Sequence, residues 1–257
     1  NDLYRNSLLS ITGNATDPGS PATSKIKEVH YAVRNLTLGT TWWTGTSWLS
    51  QSDTYWVTLT STPVQYFADG TNVTWSTGAV NFTSGHYYKL LARGKDVPGN
   101  ITADSNCPVK YFWYDTTVPT TTITNVTSGN VYSSLPSISG QAGDTFNPNA
   151  ANMKKVEVQI SEGANYWSPW TGWTTNNVWY SSSPSQGNIY SAGVWTTSAS
   201  WSNDKTYTVK YKGHDNSRDE TEAENGNVEA ENTKTFTYDT QAPISTTTFP
   251  AAGPARS

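Results

Sequence analysis

The sequence predicts an all-β chain of two tandem antiparallel β-sandwiches, and three observations carry that prediction. The stretch at residues 110–129, KYFWYDTTVPTTTITNVTSG, returns at 234–253 as KTFTYDTQAPISTTTFPAAG, with the same order of aromatics, Asp-Thr, Pro and a Thr-rich run. A repeat of that size marks a tandem array. Paired segments in the two halves alternate apolar and polar residues with the period of two that strands require. Thr, Ser, Asn, Gly, Tyr and Trp dominate, while Met and Cys occur once each, so strand and turn formers outweigh helix formers.

The elements follow in the same order in each half. Ser10-Ile11-Thr12-Gly13-Asn14-Ala15 opens the first repeat, and Ser137-Ile138-Ser139-Gly140-Gln141-Ala142 opens the second. Val29, Tyr31 and Val33 alternate with His30 and Ala32, as Val156, Val158 and Ile160 alternate with Glu157 and Gln159. One face of such a strand enters a core and the other meets solvent or a neighbour. Asp17-Pro18-Gly19 and Asn147-Pro148-Asn149 are turn signals ahead of these strands. Trp-rich middles come next, with Trp42, Trp43, Trp48, Trp56 and Trp75 answered by Trp167, Trp170, Trp173, Trp179, Trp195 and Trp201. Gly45 and Gly172 interrupt these runs and predict hairpins. Residues 88–96, YKLLARGKD, then match 207–215, YTVKYKGHD. Asp96-Val97-Pro98-Gly99-Asn100 is a tight turn whose equivalent is a longer acidic loop at 215–231, with the run 219–231 expected to be solvated. Phe112 and Tyr114, or Phe236 and Tyr238, close each repeat.

These motifs resemble the bacterial immunoglobulin-like (Big-type) tandem repeats of extracellular surface proteins. The carriers are the I-x-G-x-A opening, the Y-x-L/V-x-A/Y-x-G-x-D strand, the D-x-x-G-N turn and the Y-D-T-x-x-P hinge. The resemblance implies two immunoglobulin-like sandwiches and a modular extracellular spacer or adhesive role. Tyr88 and Tyr207 stand where a tyrosine corner would fall, with the hydroxyl bonded back to the main chain. Leu90 and Val209 stand where antibody domains carry a bridging Cys. Cys107 is alone, so no intrachain disulfide can form.

The expected domains are residues 1–117, a sandwich lacking its own first strand; 118–242, a second sandwich; and 243–257, a spare strand or tail. The second repeat has a Pro-to-Gly strand at 119–129 ahead of Ile138, the first has none ahead of Ile11, and 243–253 is an extra copy. Two explanations stay open. The sequence is an excerpt of a longer chain cut out of register, or the tail is donated. In the second case Pro243, Ile244, Thr246, Thr248 and Phe249 fill the open edge of the next copy's first sandwich. Such a heterologous contact does not close and builds a filament. Either way the partners are copies of the chain or neighbouring domains, in a head-to-tail structural array outside the cell.

Catalysis is not expected. His30, His86 and His214 have no metal spacing and read as surface or interface residues, and no nucleophile elbow or phosphate loop occurs. With 14% charged residues and a net charge of −4, no basic surface invites nucleic acid. No apolar run is long enough to span a membrane. No cofactor is expected, with calcium the one ion worth considering. Its candidate ligands are Asp17, Asp96, Asn100 and Asp115, and in the second repeat Asp215, Asn216, Asp219 and Asp239. The competing reading is that these residues cap tight turns. Trp42, Trp43, Trp167, Trp170 and Trp173 are candidates for a sugar-stacking platform, the basis of an alternative role as a carbohydrate-binding or adhesin module. Against it stands core packing. Asn14, Asn35, Asn72, Asn81, Asn100 and Asn125 begin N-x-S/T sequons, so a glycoprotein is a further expectation.

Overall fold

The structure, a computed structural model, describes residues 3–17, 25–59, 65–66, 72–144, 153–185, 187–218 and 226–248. The turn residues Pro18, Gly19, Asn147, Pro148 and Asn149 lie outside that set, as do Asp219, Phe249 and the side chain of Asn72. The chain divides into two compact units. Unit 1 comprises residues 1–120, 143–154 and 213–229, and unit 2 comprises 121–142, 155–212 and 230–257. No α-helix occurs among the described residues.

The first repeat supplies β1 (Leu3–Arg5), β2 (Thr12–Thr16), β3 (Ile26–Asn35), β4 (Thr41–Trp43), β5 (Trp48–Ser50), β6 (Val57–Thr58), β7 (Gln65–Tyr66), β8 (Asn72–Ser76), β9 (His86–Asp96) and β10 (Val109–Tyr114). One sheet runs β1-β10-β9-β3-β4-β5 with β6 on β3, and the other runs β2-β8-β7. The second repeat supplies β11 (Thr120–Ile123), β12 (Val131–Tyr132), β13 (Ile138–Gly143), β14 (Met153–Glu162), β15 (Asn165–Ser168), β16 (Gly172–Thr174), β17 (Ser182–Ser183), β18 (Gly187–Asn188), β19 (Tyr190–Ser191), β20 (Val194–Thr197), β21 (Lys205–Asp215) and β22 (Asn232–Tyr238). Its sheets are β12-β22-β21-β14-β15-β16 and β11-β13-β20-β19, with a β17-β18 hairpin. Two sheets per repeat, antiparallel but for one short parallel edge, make each an immunoglobulin-like sandwich.

The same aromatic stack holds both cores. In the first repeat Trp43 meets Trp48 at 5.4 Å, Trp48 meets Tyr88 at 5.5 Å, and Tyr88 meets Phe112 at 5.5 Å. In the second, Trp167 meets Trp173 at 5.6 Å, Trp173 meets Tyr207 at 5.5 Å, and Tyr207 meets Phe236 at 5.5 Å. Phe82 and Trp201 fill the same remaining place against the tyrosines, each at 4.9 Å. The tyrosine corners form: Thr83 N donates to Tyr88 Oη at 2.9 Å and Ser202 N to Tyr207 Oη at 2.7 Å. Rings at these spacings add edge and offset attraction to the area they bury.

Strand β3 is buried on both faces. Val29, Tyr31 and Val33 enter the main core, while Ala32 joins Trp42, Leu91 and Cys107 in a second cluster under Tyr55 and Trp56. His30, expected at the surface or an interface, is therefore 8% exposed. Arg93 Nε donates to its Nδ1 at 3.2 Å, and its Nε2 faces Glu28 Oε2 at 3.1 Å. Arg93 in turn stacks over Trp56 at 4.0 Å. Burial likewise pushes the Cys107 thiol above its ordinary pKa.

The two edges of the first repeat differ. β1 pairs in parallel with β10 (Leu3 opposite Phe112), as β12 pairs in parallel with β22 (Val131 opposite Thr237). That edge is closed in both repeats. The other sheet differs. β13 lies between β11 and β20, whereas β2 has only β8 beside it among the described residues. The gap in the first repeat is thus a counterpart of β11 alone.

Candidate functional site: an aspartate socket and an open strand edge

Three buried carboxylates meet in unit 1. Asp115, Asp144 and Asp215 are 0%, 8% and 0% exposed, and one oxygen of each lies within 4.8 Å of the others. Asp115 follows β10 in the Tyr-Asp-Thr hinge, Asp144 follows β13, and Asp215 ends β21. The loop after Asp215 folds back around it. Ser217 N and Asn227 N donate to Asp215 Oδ1 at 2.9 and 2.7 Å, and Ser217 Oγ and Asn227 Nδ2 donate to Oδ2 at 3.1 and 2.7 Å. The same Asn227 amide donates to the Asp115 carbonyl at 2.9 Å, and Ser217 Oγ reaches Asp115 Oδ2 at 3.4 Å. Thr117 N donates to Asp115 Oδ1 at 2.9 Å. Gly226 holds φ +59°, and a Cβ there would press on the Asp215 carbonyl at 2.7 Å, so the return loop needs glycine at that point.

Three carboxylates at this spacing cannot all stay charged without help. Burial, with Asp144 and Asp215 alongside, pushes the Asp115 carboxyl up to about 6, against the hydrogen bond from Thr117 N. Hard oxygen donors so placed fit a divalent cation such as calcium, which would take over the role of that proton. The pH dependence follows. A carboxyl raised in the folded state holds a proton that the unfolded chain has released. Its contribution is complete below about pH 4 and is lost as pH rises through about 6. In chelator, the melting temperature of the chain is expected to fall across that window, and Asp115→Asn is expected to flatten the fall. A profile that rises from pH 4 to 7 in both proteins would contradict the assignment.

The expected ligand sets are regrouped. Asp115, expected near Asp96 and Asn100 or near the neighbouring repeat's loop, joins Asp215 of that loop and an unforeseen Asp144. The signal was present: Asp144 follows the Ile138 motif as Asp17 follows the Ile11 motif. Asp96 forms a turn with its own loop instead, accepting from Gly99 N, Asn100 N and Asn100 Nδ2 at 2.7, 2.6 and 2.7 Å. Asn216, exposed, donates to the Met153 carbonyl at 3.3 Å, and Asp239 accepts from Gln241 N at 2.8 Å.

The Trp platform is not presented as expected. Trp42 and Trp43 are buried and Trp167 and Trp173 are half-buried in the stack; Trp170 alone of the five is exposed. Tyr87, Tyr111 and Trp113, which sequence reasoning did not single out, group on β9 and β10 with Tyr87 4.8 Å from Trp113 and 5.9 Å from Tyr111. Among the sequons, Asn35 is 1% exposed with its amide on His86, which removes it as a glycan acceptor in the folded chain. The Asn100 and Asn125 amides are engaged by Asp96 and the Ser137 carbonyl, while Asn14 and Asn81 are exposed. In the tail, residues 243–248 are exposed and take no strand, and Ile244 is 86% exposed.

No family model matches the chain, and no curated protein matches it. Among solved structures it is similar to the fibronectin(III)-like modules of Clostridium thermocellum CbhA, at 12% identity over 93% of this chain and 88% of that one, TM-score 0.31. It is similar also to a tetra-tandem repeat in the extending region of a large adhesion protein, at 15% identity over 90% of this chain, TM-score 0.33. Residues of this chain cover half of that repeat structure. A DUF3823 family protein from Bacteroides uniformis matches at 10% identity over 88% of this chain and 96% of that one, TM-score 0.21. No helix among the described residues is long and apolar enough to cross a membrane.

Proposed function

We propose that this chain is an extracellular structural module that stacks head to tail with its neighbours, through a tail strand donated to the next copy. The carrying observation is that residues 243–248 repeat the strand seated at 119–124 yet stand exposed, with no pairing strand among the described residues. Unpaired strand edges are templates for another chain. The aromatics do not favour the carbohydrate-binding alternative, because four of the five platform candidates are held in the packing of the sandwiches. The full chain is expected to sediment as concentration-dependent oligomers, and a chain ending at Pro243 as a monomer. Equal sedimentation of the two, both monomeric, would sink the donation reading.

A further inference from the structure

The two repeats differ at one place that the rest of their architecture makes conspicuous. In the second repeat, β11 lies on the outer edge of β13, in a register set by Thr124 N donating to the Ser139 carbonyl at 2.9 Å and Thr120 Oγ1 donating to that of Gly143 at 3.3 Å. Thr122 therefore lies opposite Gln141. Trp195, packed on Gly140, donates its indole N–H to the Thr122 carbonyl at 3.2 Å. A Cβ on Gly140 would collide with both.

Among the described residues the first repeat has the other parts of this arrangement but no strand on the outer edge of β2. Trp75 packs on Gly13 as Trp195 packs on Gly140, but its indole has no acceptor among the described residues. Gly13 and Ala15 are half-buried, where Gly140 and Ala142 are buried. A cleft of about 340 Å³ opens beside β2, lined by Ala15, Ile26, Val29, Trp75, Gly94 and Pro108 among others. Asp17, Asp96 and Asn100 border the same cleft. They answer Asp144, Asp215 and Asn227 one for one. Asn100 grips Asp96 through its N–H and its amide as Asn227 grips Asp215, and Gly99, like Gly226, has positive φ. In the second repeat that socket receives the hinge residue Asp115.

We propose that the outer edge of β2 is an acceptor slot for residues 244–248 of a second copy, seated with Thr246 opposite Asn14. This rests on the donation reading above and adds the address. The Thr246 carbonyl accepts from the Trp75 indole, as Thr122 does from Trp195. Ser245 and Thr247 turn toward the cleft, in the places that Thr121 and Ile123 hold at 5% and 9% exposure. The donor's Asp239 comes to Asp17, Asp96 and Asn100, completing a second socket. Small hydroxyl side chains and an exposed segment that begins at Pro243 suit the slot, since β-addition takes its affinity from the main chain and its register from alternate side chains.

Paired cysteines test the address in the full chain. Asn14 and Thr246 are both exposed, and directly opposed antiparallel residues lie about 5.5 Å apart at Cα, within disulfide range. Under oxidised glutathione, Asn14→Cys with Thr246→Cys is expected to give a ladder of linked multimers that either single variant lacks. Thr12→Cys with Thr246→Cys, two residues out of register, is expected to give at least tenfold less. Trp75→Phe, with an unchanged circular dichroism spectrum, is expected to weaken association roughly fivefold by removing one hydrogen bond. Oligomers that depend on the tail yet show no Asn14–Thr246 ladder would overturn the slot and leave donation standing. A chain that neither oligomerises nor cross-links would overturn both.

Discussion

Trp195→Ala is expected to remove about 3–5 kcal/mol from unit 2, the range for truncating a fully buried aromatic. Trp195 is 1% exposed, lies across Gly140 and meets Tyr211 at 5.8 Å. Its loss empties the layer between β13 and β21 and leaves the Thr122 carbonyl without its donor. Denaturant unfolding followed by near-ultraviolet circular dichroism checks it. One transition is expected to move to lower denaturant while the other stays in place. Trp75→Ala provides the contrast. Trp75 is 6% exposed, and its indole has no corresponding bond among the described residues, so its loss is expected to cost about 1 kcal/mol less. Equal penalties would mean that the β2 edge is as well covered as the β13 edge.

Asp215→Ala is expected to destabilise unit 1 by about 3 kcal/mol or more. The carboxylate takes four hydrogen bonds, two of them from main-chain N–H groups of the returning loop. Those donors are left facing a void when it is removed, and unsatisfied buried donors carry a larger penalty than a lost bond. Relief of repulsion toward Asp115 offsets part of this, because that carboxyl then ionises more easily. Hydrogen exchange at Ser217 and Asn227 reports the effect directly, with protection expected to drop at both. Unchanged protection would show that the loop is held by something other than Asp215. Asp96→Ala is expected to be milder, because the shorter Asp96 turn returns over only four residues to Asn100 and has no hinge carboxylate beside it among the described residues.

Much of the fold was legible because strand periodicity and tight turns are local. Val29, Tyr31 and Val33 alternate, and they are buried; Tyr88 and Tyr207 match, and both form corners. His30, expected at the surface or an interface, is buried because alternation records only which face a residue takes, and both faces of β3 are covered, one by the main core and the other by the Ala32 cluster under Tyr55 and Trp56. The socket was half legible. Asp115 and Asp215 are candidates from the sequence, with Asp115 placed near either repeat's loop, while Asp144 is not among them. Carboxylates on three separate segments converge only when two sandwich edges and a hinge are folded, and no spacing in the sequence encodes that approach.

By itself, the sequence determined that the chain repeats, that each repeat is a sandwich, and that a strand-like tail copies the hinge segment. Those properties follow from side-chain alternation, turn residues and the recurrence of short motifs, each readable within a few neighbours. The folded chain alone shows that the outer edge of β2 has no partner strand among the described residues, that Leu3–Arg5 closes the other edge, and that Asp115, Asp144 and Asp215 meet. An edge is a relation between strands far apart in the chain, so its exposure is settled by hydrogen-bond partners in space.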